Sequence, residues 1–282
     1  MWQIRESTAR SILAPVSGFL KEAGFTHSLS PARNCTYGCS YCYVPTMGFY
    51  GGLQPEDWKH WGQWTTLKSN AAELAARALS SEQVIYCSPL VDPYQPAEAK
   101  RPLMPEILEA VFRNPPKIFV IQTRGPLILR DLSLLLQLRS VTKLRISFSI
   151  TTDRDDVRRR YEPHCESNAE RLETIRALRE AGLAVHATLA PLLPCNPERL
   201  AQMAIDASRR TLIGDSLHIR ETKPRGATTR SVAFEIARRH EESEWFEAEF
   251  QRRILCTIRS VARSAGYEFL TGSRGFGCLA ME

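Results

Sequence analysis

The 282-residue chain has no apolar run long enough to cross a bilayer, which excludes a transmembrane helix. Its first residues, Met1-Trp2-Gln3-Ile4-Arg5-Glu6, lack the apolar core of a signal peptide. No repeat, low-complexity tract or dividing linker interrupts it, so one domain is expected over 1–282, with a short N-terminal arm and a C-terminal helix and tail. There is no second C-x2-C, which the usual paired zinc site would need. Neither charge sign dominates: the net charge is +6 and the pI about 8.9, which permits a polyanionic partner without requiring one. Eight cysteines, three of them in one motif, argue for a reducing compartment, and the cytoplasm is expected.

What the chain does have is Asn34-Cys35-Thr36-Tyr37-Gly38-Cys39-Ser40-Tyr41-Cys42-Tyr43, with cysteines spaced C-x3-C-x2-C. Structural disulfides do not explain three cysteines so close together. Three thiolates from one loop can hold three corners of a four-iron cluster, and clusters normally take four cysteines. One iron is then left to bind a substrate or cofactor directly. Cys165, Cys195, Cys256 and Cys278 have no ligand spacing between them.

Around this loop the pattern alternates strand and helix. Residues 1–25 read as a helix or arm, and Thr26–Ser30 as a strand running into the cysteines. An irregular segment, 48–53, and the Trp-rich stretch 57–64 follow. Capping-box patterns begin helices at Asn70 and at Ser167, the second with Leu172, Ile175 and Leu178 inward and a stop at Gly182. Pro105 and Glu106 open a helix with Ile107, Leu108, Val111 and Phe112 on one face, and 132–138 reads as another helix. Strands are expected at 84–87, 117–122, 144–150, 183–189, 217–219 and 267–270, and a long helix over 245–265. About six such alternations imply a parallel sheet with helical crossovers and function at the carboxyl ends of its strands.

The cysteine spacing, with Tyr41 before the last cysteine, resembles that of the radical S-adenosylmethionine (SAM) enzymes. The resemblance widens at Ser88–Glu98, Thr123–Asp131, Ser147–Thr152, Glu162-Pro163, Arg171-Leu172 and Leu189–Pro194, which together look like the spore photoproduct lyase-like branch, the DNA repair photolyase homologues. It implies an incomplete (β/α)6 TIM-type barrel of the radical SAM kind. It implies a [4Fe-4S] cluster on Cys35, Cys39 and Cys42, with SAM chelated by the remaining iron and cleaved to an adenosyl radical that abstracts hydrogen from a substrate. An electron donor such as flavodoxin or ferredoxin is implied too. By the same resemblance Tyr41 packs by the adenine, Ser88 meets the methionyl amino group, and Arg124 lies near the SAM carboxylate. Ser149 falls near the ribose or carboxylate, Ala190 offers backbone groups to adenine, and Cys87 is positioned as a hydrogen donor. Plain strand packing is the alternative for Cys87, Ser149 and Ala190. Asp92 and Glu98 either order their loop or meet the substrate.

From Asp206 to His240 there are eight Lys or Arg against four Asp or Glu. Lys223 and Arg225, in a loop at the functional end, are candidates for phosphate contact with a nucleic acid. Arg158, Arg159 and Arg160 read as a solvated helix face. Tyr37, Tyr43, Phe49, Tyr50 and Trp58 either stack on a base or shield a cluster. Nucleic acid is thus the first substrate reading, and radical modification of a peptide or small metabolite the second. A non-catalytic iron–sulfur or zinc protein that binds nucleic acid is the third, but it has no need of Ser88, Arg124 or a barrel.

Overall fold

The computed structural model describes residues 2–47, 60–224 and 227–281. Its strands are β1 (Gln3–Ser7), β2 (Leu13–Pro15), β3 (His27–Leu29), β4 (Ala32–Arg33), β5 (Trp64–Lys68), β6 (Val84–Cys87), β7 (Ile118–Thr123), β8 (Lys143–Ser149), β9 (Val185–Leu189), β10 (Leu212–Gly214) and β11 (Phe269–Thr271). Its helices are α1 (Gly18–Glu22), α2 (Ala71–Ala78), α3 (Met104–Arg113), α4 (Leu132–Leu138), α5 (Asp155–Tyr161), α6 (Asn168–Glu180), α7 (Pro197–Ser208), α8 (Ser231–Arg239), α9 (Ala248–Ser264) and α10 (Gly272–Gly277).

The main sheet runs β11-β10-β9-β8-β7-β6-β3-β2. Every neighbouring pair is parallel except β2 with β3. The strands succeed one another with helices between, and β2 and β11 stand at opposite ends, so the wall is an incomplete barrel of the TIM type. Strand alternation splits its side chains. Ile85, Phe119, Ile121, Ile146, Phe148 and Ala187 join the helices in one large apolar core. Tyr86, Ile118, Val120 and Ile213 face the other way, into a smaller cluster with Phe25 and Leu279. A polar belt crosses that inner face. Gln122 Oε1 accepts from Tyr86 Oη and Ser147 Oγ, both at 2.6 Å, and Gln122 Nε2 donates to Ser149 Oγ at 2.7 Å.

Helix periodicity explains the outer layer. Met104, Ile107, Leu108 and Val111 of α3 are fully buried, each contributing roughly 1.5–3 kcal/mol. Phe112, expected on that face, falls off it and is 40% exposed. The Ser167 capping box forms as expected, and Gly182 follows its helix at φ +85°. Asn70 does not form one. Its side chain instead bridges to Ala9, accepting from Ala9 N–H at 2.9 Å and donating to Ala9 O at 3.0 Å.

Three expectations change. The segment 1–25 is chiefly β1 and β2 with a single helical turn, because β1 pairs in parallel with β5 and β2 pairs with β3. The strand expected at 217–219 lies at Leu212–Gly214 instead, where Gly214 lets Phe269 approach so closely that a Cβ would stand 2.4 Å from its ring. The helix expected from 245 starts at Ala248, after a 3-10 turn over Ser243–Phe246. Helices α5, α7 and α8 are further elements that the pattern reading left out. Among the described residues, no helix is long and apolar enough to cross a membrane.

Candidate active site

Strand β4 delivers the chain into the cysteine loop through Asn34, which holds a left-handed φ of +62°. Its Oδ1 accepts the Cys35 N–H at 2.7 Å, a local bond that suits asparagine to this conformation. Thr65 of β5 donates to Asn34 O at 3.0 Å. Gln95 Oε1 accepts from Thr36 N–H and Thr36 Oγ1 at 2.7 and 3.0 Å. Tyr43 Oη donates to Pro89 O at 2.9 Å, and Thr46 Oγ1 exchanges bonds with the Thr228 backbone at 3.1 and 3.0 Å. The loop is thus tied to several barrel loops that follow different strands.

Two glycines let it sit there. A Cβ on Gly62 would stand 2.4 Å from Gly38 Cα, and both residues have positive φ, +93° and +62°. The Gly62→Ala change is expected to destabilise the protein by about 2–3 kcal/mol, combining left-handed strain with a backbone clash. Thermal unfolding checks this, and an unchanged midpoint would show that the two backbones can part freely.

Cys35, Cys39 and Cys42 are all free thiols, the first two buried and the third half-buried. Burial pushes Cys42 up to about 12 and Cys35 higher still. Cys39 is held below the usual thiol range by a hydrogen bond from Cys165 and, against burial, by nearby Arg124. Such a set suits a soft, positively charged iron site, which offsets the cost of ionising buried thiols. One loop supplies all three thiols, none is in a disulfide, and the donor chemistry therefore fits an iron–sulfur cluster.

Beside the thiols lies a buried charge network. Glu162, fully buried, accepts from Arg171 Nη1 at 2.6 Å and also from Arg124 Nη1 and Tyr41 Oη. Burial opposes its charge, but Arg171 and then Arg124 outweigh burial and hold Glu162 down to about 2. Arg124 also reaches Cys39 Sγ at 3.6 Å, and its guanidinium carbon is 5.8 Å from the Tyr41 ring centre. Asp92 fixes the base of this arginine by accepting from Arg124 N–H at 2.8 Å and Thr123 Oγ1 at 2.6 Å. Glu98 accepts the first N–H groups of α3, from Leu103 and Met104, and pairs with Arg130 at 2.9 Å. Both carboxylates therefore order loops.

The other residues singled out from sequence are placed as follows. Ser88 directly follows β6 with its Oγ 3.2 Å from Ser30 Oγ, and Ser149 belongs to the polar belt. Ala190 follows β9 at the same end. Cys87 is fully buried in the large sheet–helix core, because alternation sends its neighbour Tyr86 inward. Lys223 Nζ lies 3.2 Å from His218 Nδ1, and His218 Nε2 lies 3.8 Å from Asp215 Oδ2, just past the carboxyl end of β10. Arg225, Phe49, Tyr50 and Trp58 lie outside the described residues. Arg158–Arg160 do form part of a helix, α5, but not a freely solvated face: Arg158 is buried on Asp155 and Cys165 O, and Arg160 pairs with Asp156 and Glu242. Cys278 is near Arg145 of β8, whose Nη1 donates to Leu279 O at 2.5 Å.

Sequence reasoning gave no role to Asn34, Gln95 or Cys165, and it quoted Glu162 and Arg171 without pairing them. The signal for the pair was a Glu and an Arg on either side of the Ser167 capping box. Cys165 carried no signal, since only the fold brings it to Cys39 and Glu162, with ligand atoms all within 4.8 Å.

A parallel partial barrel with three thiols at the carboxyl end of its strands defines a class of iron–sulfur enzyme. The profile of the radical SAM superfamily matches residues 29–206, and the chain belongs to that superfamily. It is 27% identical over 241 residues to an uncharacterized protein of Mycobacterium tuberculosis, covering 81% of this chain and 68% of that one. It is 26% identical over 174 residues to an uncharacterized protein of Methanocaldococcus jannaschii, covering 62% of this chain and 63% of its relative. Among solved structures the fold is shared with a mutant of spore photoproduct lyase, at a TM-score of 0.64 and 14% identity over 94% of this chain and 81% of that one. The lyase complexed with dinucleoside spore photoproduct matches at 0.58 and 14%, over 95% and 82%.

Proposed function

We propose that this chain reductively cleaves SAM at a [4Fe-4S] cluster held by Cys35, Cys39 and Cys42 and abstracts hydrogen from a nucleic acid or nucleotide. The observation that carries the reading is the single loop of three free thiols braced beside Arg124 at the carboxyl end of the barrel. Such a cluster, when bound, would supply an iron free for SAM and the reducing electron for cleavage of its sulfonium bond.

The chain's own residues supply position and dryness. Arg124, fixed by Asp92, Glu162 and Tyr41, presents a cation beside the thiol loop where the carboxylate of SAM would be met. Ser88 and Ser149 offer hydroxyls for the amino group and ribose, and Ala190 lends backbone. Tyr37 and Tyr43 are anchored by their own hydroxyls and shield the loop from water. We assign Cys87 to packing, which its place in the sheet–helix core supports. A protein reductant such as flavodoxin or ferredoxin would deliver the electron.

The nucleic-acid part rests on the basic Lys223 loop and on the shared fold with a lyase solved with a dinucleoside lesion. The test is the salt dependence of DNA and RNA binding by the anaerobically reconstituted protein. Binding should fall steeply with salt, and Lys223→Ala should flatten the log–log slope by roughly one unit. No binding at low salt would overturn the nucleic-acid reading in favour of a peptide or small metabolite, while SAM cleavage to 5′-deoxyadenosine would still be expected.

A further inference from the structure

We propose that Cys39 and Cys165 are a peroxide-reactive thiol pair, closing to a disulfide in the cluster-free chain and so withholding Cys39 from iron. The two thiols come from separate segments, Cys39 from the loop after β4 and Cys165 from the loop between α5 and α6. Their sulfurs lie within 4.8 Å of each other and of the Glu162 carboxylate, and both residues are buried.

The backbones on either side are pinned together. Ser40 N–H donates to Tyr161 O at 2.9 Å, which ties the cysteine loop to the end of α5. Cys165 N–H donates to Glu162 O at 3.0 Å, and Arg158 Nη1 donates to Cys165 O at 2.7 Å. The Arg124 guanidinium stands 3.6 Å from Cys39 Sγ. None of the other four non-motif cysteines is in this group: Cys87 is in the sheet–helix core, Cys195 follows β9, Cys256 is exposed on α9, and Cys278 is in the C-terminal tail.

The chemistry balances with hydrogen peroxide as oxidant. Cys39 sulfur attacks one peroxide oxygen, the O–O bond breaks, and water leaves, giving a sulfenic acid on Cys39. Cys165 sulfur then attacks that sulfur, the S–O bond breaks, and the hydroxide leaves as water with the Cys165 proton. Two thiols lose two electrons, and the peroxide gains them. A dithiol reverses the change by thiol–disulfide exchange. The disulfide is independent of the proposed reaction; only its consequence for iron rests on Cys39 being a ligand.

The experiment uses the full chain prepared without iron and treated with a few equivalents of hydrogen peroxide. Free thiols are then alkylated, and the unreduced digest is read by mass spectrometry. A Cys39–Cys165 linked peptide should dominate. Iron uptake on later reconstitution should fall roughly tenfold until dithiothreitol is added. In Cys165→Ser the linked peptide should vanish, and Cys39 should proceed to the sulfinic acid, which dithiothreitol does not restore. Dominant linkage of Cys39 to Cys35 or Cys42 would overturn the proposal. So would Cys165 in the wild-type chain alkylating at one rate before and after peroxide, a readout that needs no variant to fold.

Discussion

Iron content is expected to fall from about four atoms per chain to near zero in each of Cys35→Ala, Cys39→Ala and Cys42→Ala after anaerobic reconstitution. The size of the effect follows from the geometry. All three thiols belong to one loop tied down by hydrogen bonds at Asn34, Thr36, Tyr43 and Thr46, so the loop has little freedom to recruit a substitute. With two thiolates the loop would hold only two corners of a four-iron cluster, one fewer than the wild-type loop offers. Cys195→Ala and Cys256→Ala should keep their iron, since neither residue approaches the loop. Formation of 5′-deoxyadenosine from SAM should track iron across the set. Cys39→Ala is the informative member, because Cys165 is the one other thiol grouped with its position. Retention of a full cluster in Cys35→Ala or Cys42→Ala would mean that the motif does not hold the iron.

The thiol loop was readable in the sequence because its three cysteines lie within eight residues, and local spacing survives without tertiary knowledge. The barrel was readable for a related reason. Strands such as Val84–Cys87 and helices such as Leu132–Leu138 carry dense apolar signals with a definite period. Strand β1 was not, since its side chains are almost all exposed and only pairing with β5 makes it a strand. Strand β10 is three residues long and ends in glycine, too short to outweigh the apolar Leu217 and Ile219, which are buried in a loop. The site shows the same division. Arg124 was singled out by motif, yet its buried partners, Glu162, Asp92 and Tyr41, lie on three other segments. Cys87 illustrates the reverse difficulty: a thiol next to the inner face by sequence is turned to the outer face by strand alternation.

Replacing Glu162 by glutamine should destabilise the protein by about 3–5 kcal/mol at neutral pH, the loss typical when one partner of a buried ion pair is removed. Glu162 and Arg171 are both wholly inaccessible, and Arg124 is only 15% exposed at its side chain. The substitution keeps shape and most hydrogen bonds but leaves two buried guanidinium groups with no carboxylate between them. Arg171 retains Ser149 O, which Nε and Nη2 reach at 3.1 and 2.5 Å, and Arg124 keeps Asp92, whose Oδ2 lies 4.0 Å from Arg124 Nε. Neither neighbour neutralises both charges. The pH dependence has a definite sign. The folded carboxyl is held down to about 2 against an ordinary value of 4.5, so its contribution is fully present above about pH 4.5 and is lost as pH falls toward 2. The stability gap between wild type and Glu162→Gln should therefore close over that window. The gap is the quantity to follow, because burial raises Asp92, Glu98 and Glu166, and those groups act in the opposite direction in both proteins and cancel in the difference. Urea unfolding at a series of pH values measures it. A gap that stays constant down to pH 2 would show that Glu162 acts by shape rather than charge. A negligible gap at pH 7 would show that the two arginines are neutralised elsewhere. In the expected case Arg124 loses a fixed partner beside Cys39, so SAM binding should weaken in the same variant even where its iron content is intact.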